Sequence, residues 1–260
     1  MCGCNMERRA KTLAKIIAIS GKGGVGKTSI AALIIKVLLK DKGKKILAID
    51  GDPAVGFSMA LGLNVTKTLD DVRNEVIAAA KSGEKEAKAA LLQRINYEVL
   101  DAMVEENGFA FLAIGRPESK GCYCKINEYL KDIIADLEPN FDYIVIDGEA
   151  GIEQINRRVM ERVTHLLMVS DASQKGIGVV KTVHTVAQKA MMFDKAGLLF
   201  NRLRSEQEIK NSDIEPLSLL GCLLENEAIR TADIQGNSIL GIPDDDTVQR
   251  LQNILMKFLN

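Results

Sequence analysis

The sequence has almost no net charge: 34 Lys and Arg stand against 35 Asp and Glu in 260 residues, a formal balance of −1. No overall positive field recommends nucleic acid or an anionic membrane as a partner. Long hydrophobic runs are also absent. No stretch approaches the roughly 20 apolar residues that span a bilayer, and the polar start of the chain lacks the apolar core of a signal peptide, so a cytosolic protein is expected. Internal repeats and low-complexity linkers are missing. Histidine occurs twice, and His165 and His184 each stand without a ligand partner in their surroundings, which gives neither a metal role. Cysteine occurs five times, four of them in Cys-x-Cys pairs, a pattern that suggests thiolate chemistry or metal binding rather than a disulfide scaffold.

What is present is an alternation of strands and helices. Hydrophobic residues make up 47% and charged residues 27%, enough for a buried sheet with a polar exterior. Lys15 to Ser20 reads as a central parallel strand, because Ile16, Ile17, Ala18 and Ile19 form a near-continuous apolar run. A helix through Ile30, Leu33, Ile34, Val37 and Leu38 follows, then a second strand from Lys45 to Ile49. Further strands are expected at Phe109 to Ile114, Tyr143 to Ile146, Leu166 to Val169 and Leu198 to Phe200, with a weaker one at Leu217 to Leu223. Helices are expected from Ile126 to Leu137, through Val179, Val183, Val186 and Met191, and from Thr247 to Leu259. Cys222 falls in an apolar run and is expected in the core. The fold class is therefore α/β, a three-layer, mostly parallel sheet covered by helices on both faces. One domain is expected over 1–260, with 1–12 as a tail and 66–107 as a helical insertion broken between Lys81 and Lys88.

The first strand and its helix are joined by Gly21-Lys22-Gly23-Gly24-Val25-Gly26-Lys27-Thr28. The spacing G-x-x-x-x-G-K-T in a strand-to-helix turn is a phosphate cradle: glycines take backbone angles closed to other residues, and the amides of Gly23, Gly24, Val25, Gly26, Lys27, Thr28 and Ser29 face the phosphates of ATP or ADP. Lys27 is placed to reach the outer phosphates and the Thr28 hydroxyl to hold Mg²⁺. Acidic residues end two later strands. Asp147 suits a Walker-B-like role on Mg²⁺, and Asp50-Gly51-Asp52-Pro53 sets two carboxylates at the edge where open α/β sheets bind ligands.

Lys22, where the general motif accepts any residue, makes G-K-G-G-V-G-K-T similar to the deviant Walker ATPases: the nitrogenase iron protein, MinD, ParA and metal-insertion ATPases. The resemblance implies that Lys22 reaches the nucleotide of a partner subunit, so that a homodimer sandwiches two ATP molecules. It further implies that Asp50 lies near Mg²⁺ and that Asp52 orients the attacking water. Asp147-Gly148-Glu149-Ala150-Gly151 then corresponds to a switch beside the γ-phosphate, and Asn201-Arg202 to the reader of adenine. Lys22, Lys27 and Asp52 are the expected catalytic set. In one departure, members often place a proline just after the next strand, where Leu224-Glu225-Asn226 stands here.

Cys122-Tyr123-Cys124 supplies two thiolates, half of the four ligands that cysteine-bound Ni²⁺ or Zn²⁺ usually takes. A two-fold dimer would supply the other half. With G-K-G-G-V-G-K-T, D-G-D-P and D-x-x-A-G-I-E, this pair resembles the CooC-type nickel-insertion ATPases that mature carbon monoxide dehydrogenase. That resemblance implies an ATP-dependent metallochaperone carrying nickel to carbon monoxide dehydrogenase or a related nickel enzyme. Two alternatives share the nucleotide motifs: a positioning ATPase of the MinD or ParA kind, and an iron-sulfur carrier or reductase. Packing of the C-terminal amphipathic helix on the sheet, rather than on a membrane, is expected because its polar face offers only Arg250 and Lys257 as cations. Cys2-Gly3-Cys4 reads as part of an exposed terminus.

Overall fold

The computed structural model describes residues 13–52, 56–81, 88–106, 108–115, 124–148, 159, 162–190 and 192–260. Eight strands form a single sheet: β1 Lys15–Gly21, β2 Ile46–Asp50, β3 Val104–Glu106, β4 Phe109–Ala113, β5 Tyr143–Asp147, β6 Val163–Ser170, β7 Phe193–Leu203 and β8 Leu219–Leu224. Their spatial order is β3-β4-β2-β5-β1-β6-β7-β8. Every neighbour pair is parallel except β3 and β4. The apolar run of β1 thus takes the central place between β5 and β6, where Ile17, Ala18 and Ile19 lose all contact with solvent.

Alternate residues of β1 face opposite layers, as the two-residue period of a strand requires. Ile17 and Ile19 pack under helix α1, Lys27–Leu38, and under the C-terminal helix α8, Asp246–Leu259. Ile16 and Ala18 belong to the other face, with Val72 and Val76 of α3 (Leu69–Lys81), Ile95 and Val99 of α4 (Lys88–Asp101), Ile134 of α5 (Cys124–Leu137), and Ile177, Val180 and Val183 of α6 (Gln174–Lys189). Two further helices are α2, Gly56–Leu61, and α7, Glu227–Gln235. In α8 the expected stripe Val248, Leu251, Leu255 and Phe258 is buried, so this helix packs on the body of the domain.

The segment expected to be wholly helical departs from that reading at its end. Val104–Glu106 is a short strand that runs antiparallel along β4. Its mixed apolar and acidic run carries the weak alternation of an edge strand, which a helix-rich context hides. The six-residue helix α2 was also not foreseen, because it is too short for helical periodicity to register. Residues 1–12, with Cys2 and Cys4, lie outside the described residues.

Candidate nucleotide site

The loop at Gly21–Thr28 sits at the carboxyl end of the central strand, where the chain crosses toward β2 on one side while β6 continues the sheet on the other. Two glycines are demanded by geometry. Gly21 has φ 147°, and a Cβ there would lie 2.1 Å from the carbonyl oxygen of Val169 on the neighbouring strand. Gly26 has φ 89°, and its Cβ would approach Asn201 Nδ2 to 2.7 Å. Gly26 is also the N-cap of α1, and no side chain caps that helix. The amides of its first turn therefore remain available to an anion, and the helix dipole adds to their attraction.

Side chains from two later strands hold the loop. Asn201, near the end of β7 and 8% exposed, donates from Nδ2 to the Val25 carbonyl at 2.9 Å. Arg202 donates from a guanidinium nitrogen to the Gly24 carbonyl at 2.9 Å. Among the described residues Arg202 is the only non-glycine with positive φ, 60°. A left-handed backbone at a bulky residue costs energy, and here it turns the guanidinium back over the loop. Lys27 Nζ reaches the Lys22 carbonyl at 3.4 Å, and Lys22 Nζ pairs with Asp171 Oδ2 at 3.3 Å, just past the end of β6.

Asp50 and Asp147 end β2 and β5 and stand opposite one another in the parallel register. Both are buried, at 0% and 1% exposure. Asp50 uses both oxygens to fix the following turn, accepting from the Asp52 amide at 3.0 Å and the Phe57 amide at 2.9 Å. Burial pushes its pKa up to about 6 against those two hydrogen bonds. Asp147 is pushed up to about 7, first by burial and further by the charge of Asp50, while a hydrogen bond with the Thr28 side chain opposes the shift. Its Oδ1 is buried and has no hydrogen-bond partner.

An orphaned carboxylate oxygen beside a threonine hydroxyl is a donor set that suits a hard divalent cation. Asp147 and Thr28, with Asp50 behind them, would hold Mg²⁺. The ion would neutralise phosphate charge there. Among the described residues no group of three or more His, Cys, Asp or Glu is arranged to hold a metal by itself.

Beside the loop lies a cleft of about 450 Å³, bounded by Ser29 and Leu33 of α1, Asn201 and Arg202 of β7, and Asn226 and Arg230 at the start of α7. Leu224 and Ile234, 39% and 70% exposed, give it apolar walls. The sequence matches the model of the CobQ/CobB/MinD/ParA nucleotide binding domain over residues 16–250. The chain belongs to that family.

Among members of this family, an uncharacterized ATP-binding protein of Methanocaldococcus jannaschii is 35% identical over 250 residues, covering 94% of this chain and 98% of that protein. The carbon monoxide dehydrogenase accessory protein CooC of Rhodospirillum rubrum is 25% identical over 243 residues, covering 85% and 88%. The septum site-determining protein MinD of Pyrococcus horikoshii, solved in complex with Mg-ADP, superimposes with a TM-score of 0.68 at 26% identity, covering 94% of this chain and 96% of that one. The P-loop nucleotide-binding fold expected from the sequence is therefore present.

Of the predicted site residues, the structure brings together Lys22 through Ser29, Asp50, Asp52, Asp147, Asn201 and Arg202 at one edge of the sheet. Cys122, Glu149, Ala150 and Gly151 lie outside the described residues, while Cys124 opens α5. Sequence reasoning missed Asp171, the partner of Lys22, and read Asn226 only as part of a departure from the family's proline, not as the N-cap of α7. The second carried a readable signal, an Asn immediately before a helical run.

Proposed function

We propose that this family member is a Mg²⁺-dependent ATPase that works as a dimerising switch. The observation that carries the reading is the pairing of Thr28, on the uncapped helix α1, with the buried and half-unpartnered carboxylate of Asp147. The loop amides would seat the phosphates, Lys27 would reach the outer ones, and Asp147 in its ionised form would hold the cation together with Thr28. Asp52 follows the anchored Asp50 and orients the attacking water, which needs an acceptor in line with the γ-phosphorus. Asn201, which borders the cleft and holds Val25 through Nδ2, keeps a carbonyl oxygen with which to read the base. Lys22 leaves Asp171 for the nucleotide of a second copy, so that closure and hydrolysis are one cycle. The test is turnover of Mg-ATP by wild type and Asp52→Asn: loss of hydrolysis with ATP binding retained is expected, and unchanged turnover removes Asp52 from the mechanism.

A finer reading is favoured by Cys122-Tyr123-Cys124 together with the CooC relative. Under it the two thiolates of each subunit meet across the dimer and carry Ni²⁺, or Zn²⁺, as cargo for a nickel enzyme such as carbon monoxide dehydrogenase. Size-exclusion chromatography of wild type and Cys122→Ser/Cys124→Ser, with and without Ni²⁺ and ATP, decides it. Metal-dependent dimerisation lost in the variant is the expected result. Identical elution in every condition returns the chain to a MinD-like positioning ATPase without a metal cargo.

A further inference from the structure

Asn226 lines the base cleft, yet its side chain is held by partners within the protein, and both of its amide hydrogens are taken. Its Oδ1 accepts from the Ile229 amide at 3.0 Å and so caps α7. Both amide hydrogens are also committed: Nδ2 donates to Asp245 Oδ2 at 2.6 Å and to Thr247 Oγ1 at 2.9 Å. Asp245 is itself the N-cap of α8, where its other oxygen accepts from the Thr247 and Val248 amides at 2.9 and 3.1 Å. One amide and one carboxylate thus join the first turns of two helices, one bordering the cleft and the other the last helix described.

The residue before this junction is tied to the phosphate side. Lys36, on the helix that begins at the loop, and Lys40, just past its end, pair with Asp244 at 3.1 and 2.6 Å, and Lys36 also donates to the Leu240 carbonyl at 2.9 Å. Two routes therefore converge on Asp244-Asp245. One runs from the phosphates through α1, and the other from the base cleft through Asn226.

We infer that Asn226 is a positioning residue that couples occupancy of the base cleft to the seating of the C-terminal helix. A base entering the cleft covers Leu224 and Ile234 and restrains the first turn of α7. Because that turn and the first turn of α8 share Asn226, restraint of one raises the opening cost of the other. A phosphate chain without a base acts only through the α1 route. The inference rests on the nucleotide reading of the cleft.

Hydrogen exchange of peptides spanning 244–251, followed by mass spectrometry in the presence of Mg-ADP or Mg-tripolyphosphate, tests it, with ADP binding measured on the same samples by calorimetry. In wild type, exchange is expected to be about fivefold slower with ADP than with tripolyphosphate, the effect of roughly one shared hydrogen bond. Asn226→Ser keeps an N-cap for α7 but loses the amide donors, and is expected to bind ADP with no difference between the two ligands. The exchange pair Asn226→Asp with Asp245→Asn reverses donor and acceptor, keeps both caps, and is expected to restore the difference. ADP bound without slower exchange in wild type, an undiminished difference in Asn226→Ser, or no recovery in the exchange pair each overturns the coupling alone. Absence of ADP binding to wild type overturns the nucleotide reading and the coupling with it.

Discussion

Lys22 and Asp171 form an ion pair of 3.3 Å that bridges the phosphate loop and the end of β6. Asp171 is fixed on its other oxygen by the hydroxyl and amide of Ser173, the N-cap of α6, and Gly176 packs so closely that a Cβ would lie 2.2 Å from that oxygen. The lysine proposed to reach a partner's nucleotide is thus held at home by an anchored carboxylate. The pair is partly solvated, with side chains 29% and 36% exposed, so releasing it costs little.

Asp171→Asn is expected to favour the ATP-bound dimer, by about thirtyfold or less in dissociation constant, because closure releases two solvated pairs of roughly 0–1 kcal/mol each. Sedimentation equilibrium across a protein concentration series measures it. A weaker dimer in this variant would show that Asp171 serves closure rather than restraint.

The role proposed for Asp147 makes cation binding pH-dependent. Its folded pKa of about 7 lies above the 3.8 of an ordinary aspartate, so the nucleotide-free native state holds a proton that the unfolded chain has released. Without a cation, this group's contribution to stability falls as pH rises from about 4 to about 7. Mg²⁺ held by Asp147 as proposed would release that proton, so its affinity in the presence of nucleotide is expected to rise over the same window. Calorimetry at pH 6 in two buffers of different ionisation enthalpy is expected to show proton release in wild type that is reduced in Asp147→Asn. Equal heats in the two buffers for wild type would contradict the assignment.

His165 acts with the opposite sign in nearly the same window. Burial drives its pKa down to about 4, aided by Lys195 and Lys15, with Asp194 opposing. The ring lies edge-on to Phe258 of α8 at 5.0 Å, its Nδ1 meets Thr164 Oγ1 at 2.7 Å, and its Nε2 has no partner. An imidazole whose folded pKa is below the unfolded 6.5 contributes stability that is fully present above pH 6.5 and is lost as pH falls toward 4. Urea denaturation of His165→Gln at pH 5 and pH 7 is expected to show a smaller acid loss than wild type.

Gly26→Ala tests the lateral grip on the loop. The left-handed backbone and the 2.7 Å approach to Asn201 make the added methyl displace the side chain that holds Val25. A loss of about 1–3 kcal/mol in stability is expected, with ADP affinity falling as well. Gly23, which has open space around a Cβ and no positive φ, is the control: Gly23→Ala should leave the denaturation midpoint within error of wild type.

The parts legible in the sequence were those set by short-range chemistry. The apolar run of β1, the loop glycines and the carboxylates closing β2 and β5 could be read because each requirement falls on a few consecutive residues. Long-range partnerships could not. Asp171 meets Lys22 across 149 residues, and Asn201 meets Val25 across 176, contacts that follow from sheet order rather than local pattern. Asn226 could be read as a departure from the proline of related chains, but its link to Asp245 became visible only with α7 and α8 in place. The edge strand β3 was lost within a charged segment because three residues carry too little period to oppose a helical context.

The most direct test of the central claim is sedimentation velocity of Asp52→Asn, a variant expected to bind ATP without consuming it. With Mg-ATP this variant is predicted to sediment as a dimer, and with Mg-ADP, or with Lys22→Ala added, as a monomer. A monomer under Mg-ATP, with ATP demonstrably bound, would contradict a nucleotide-driven dimer switch.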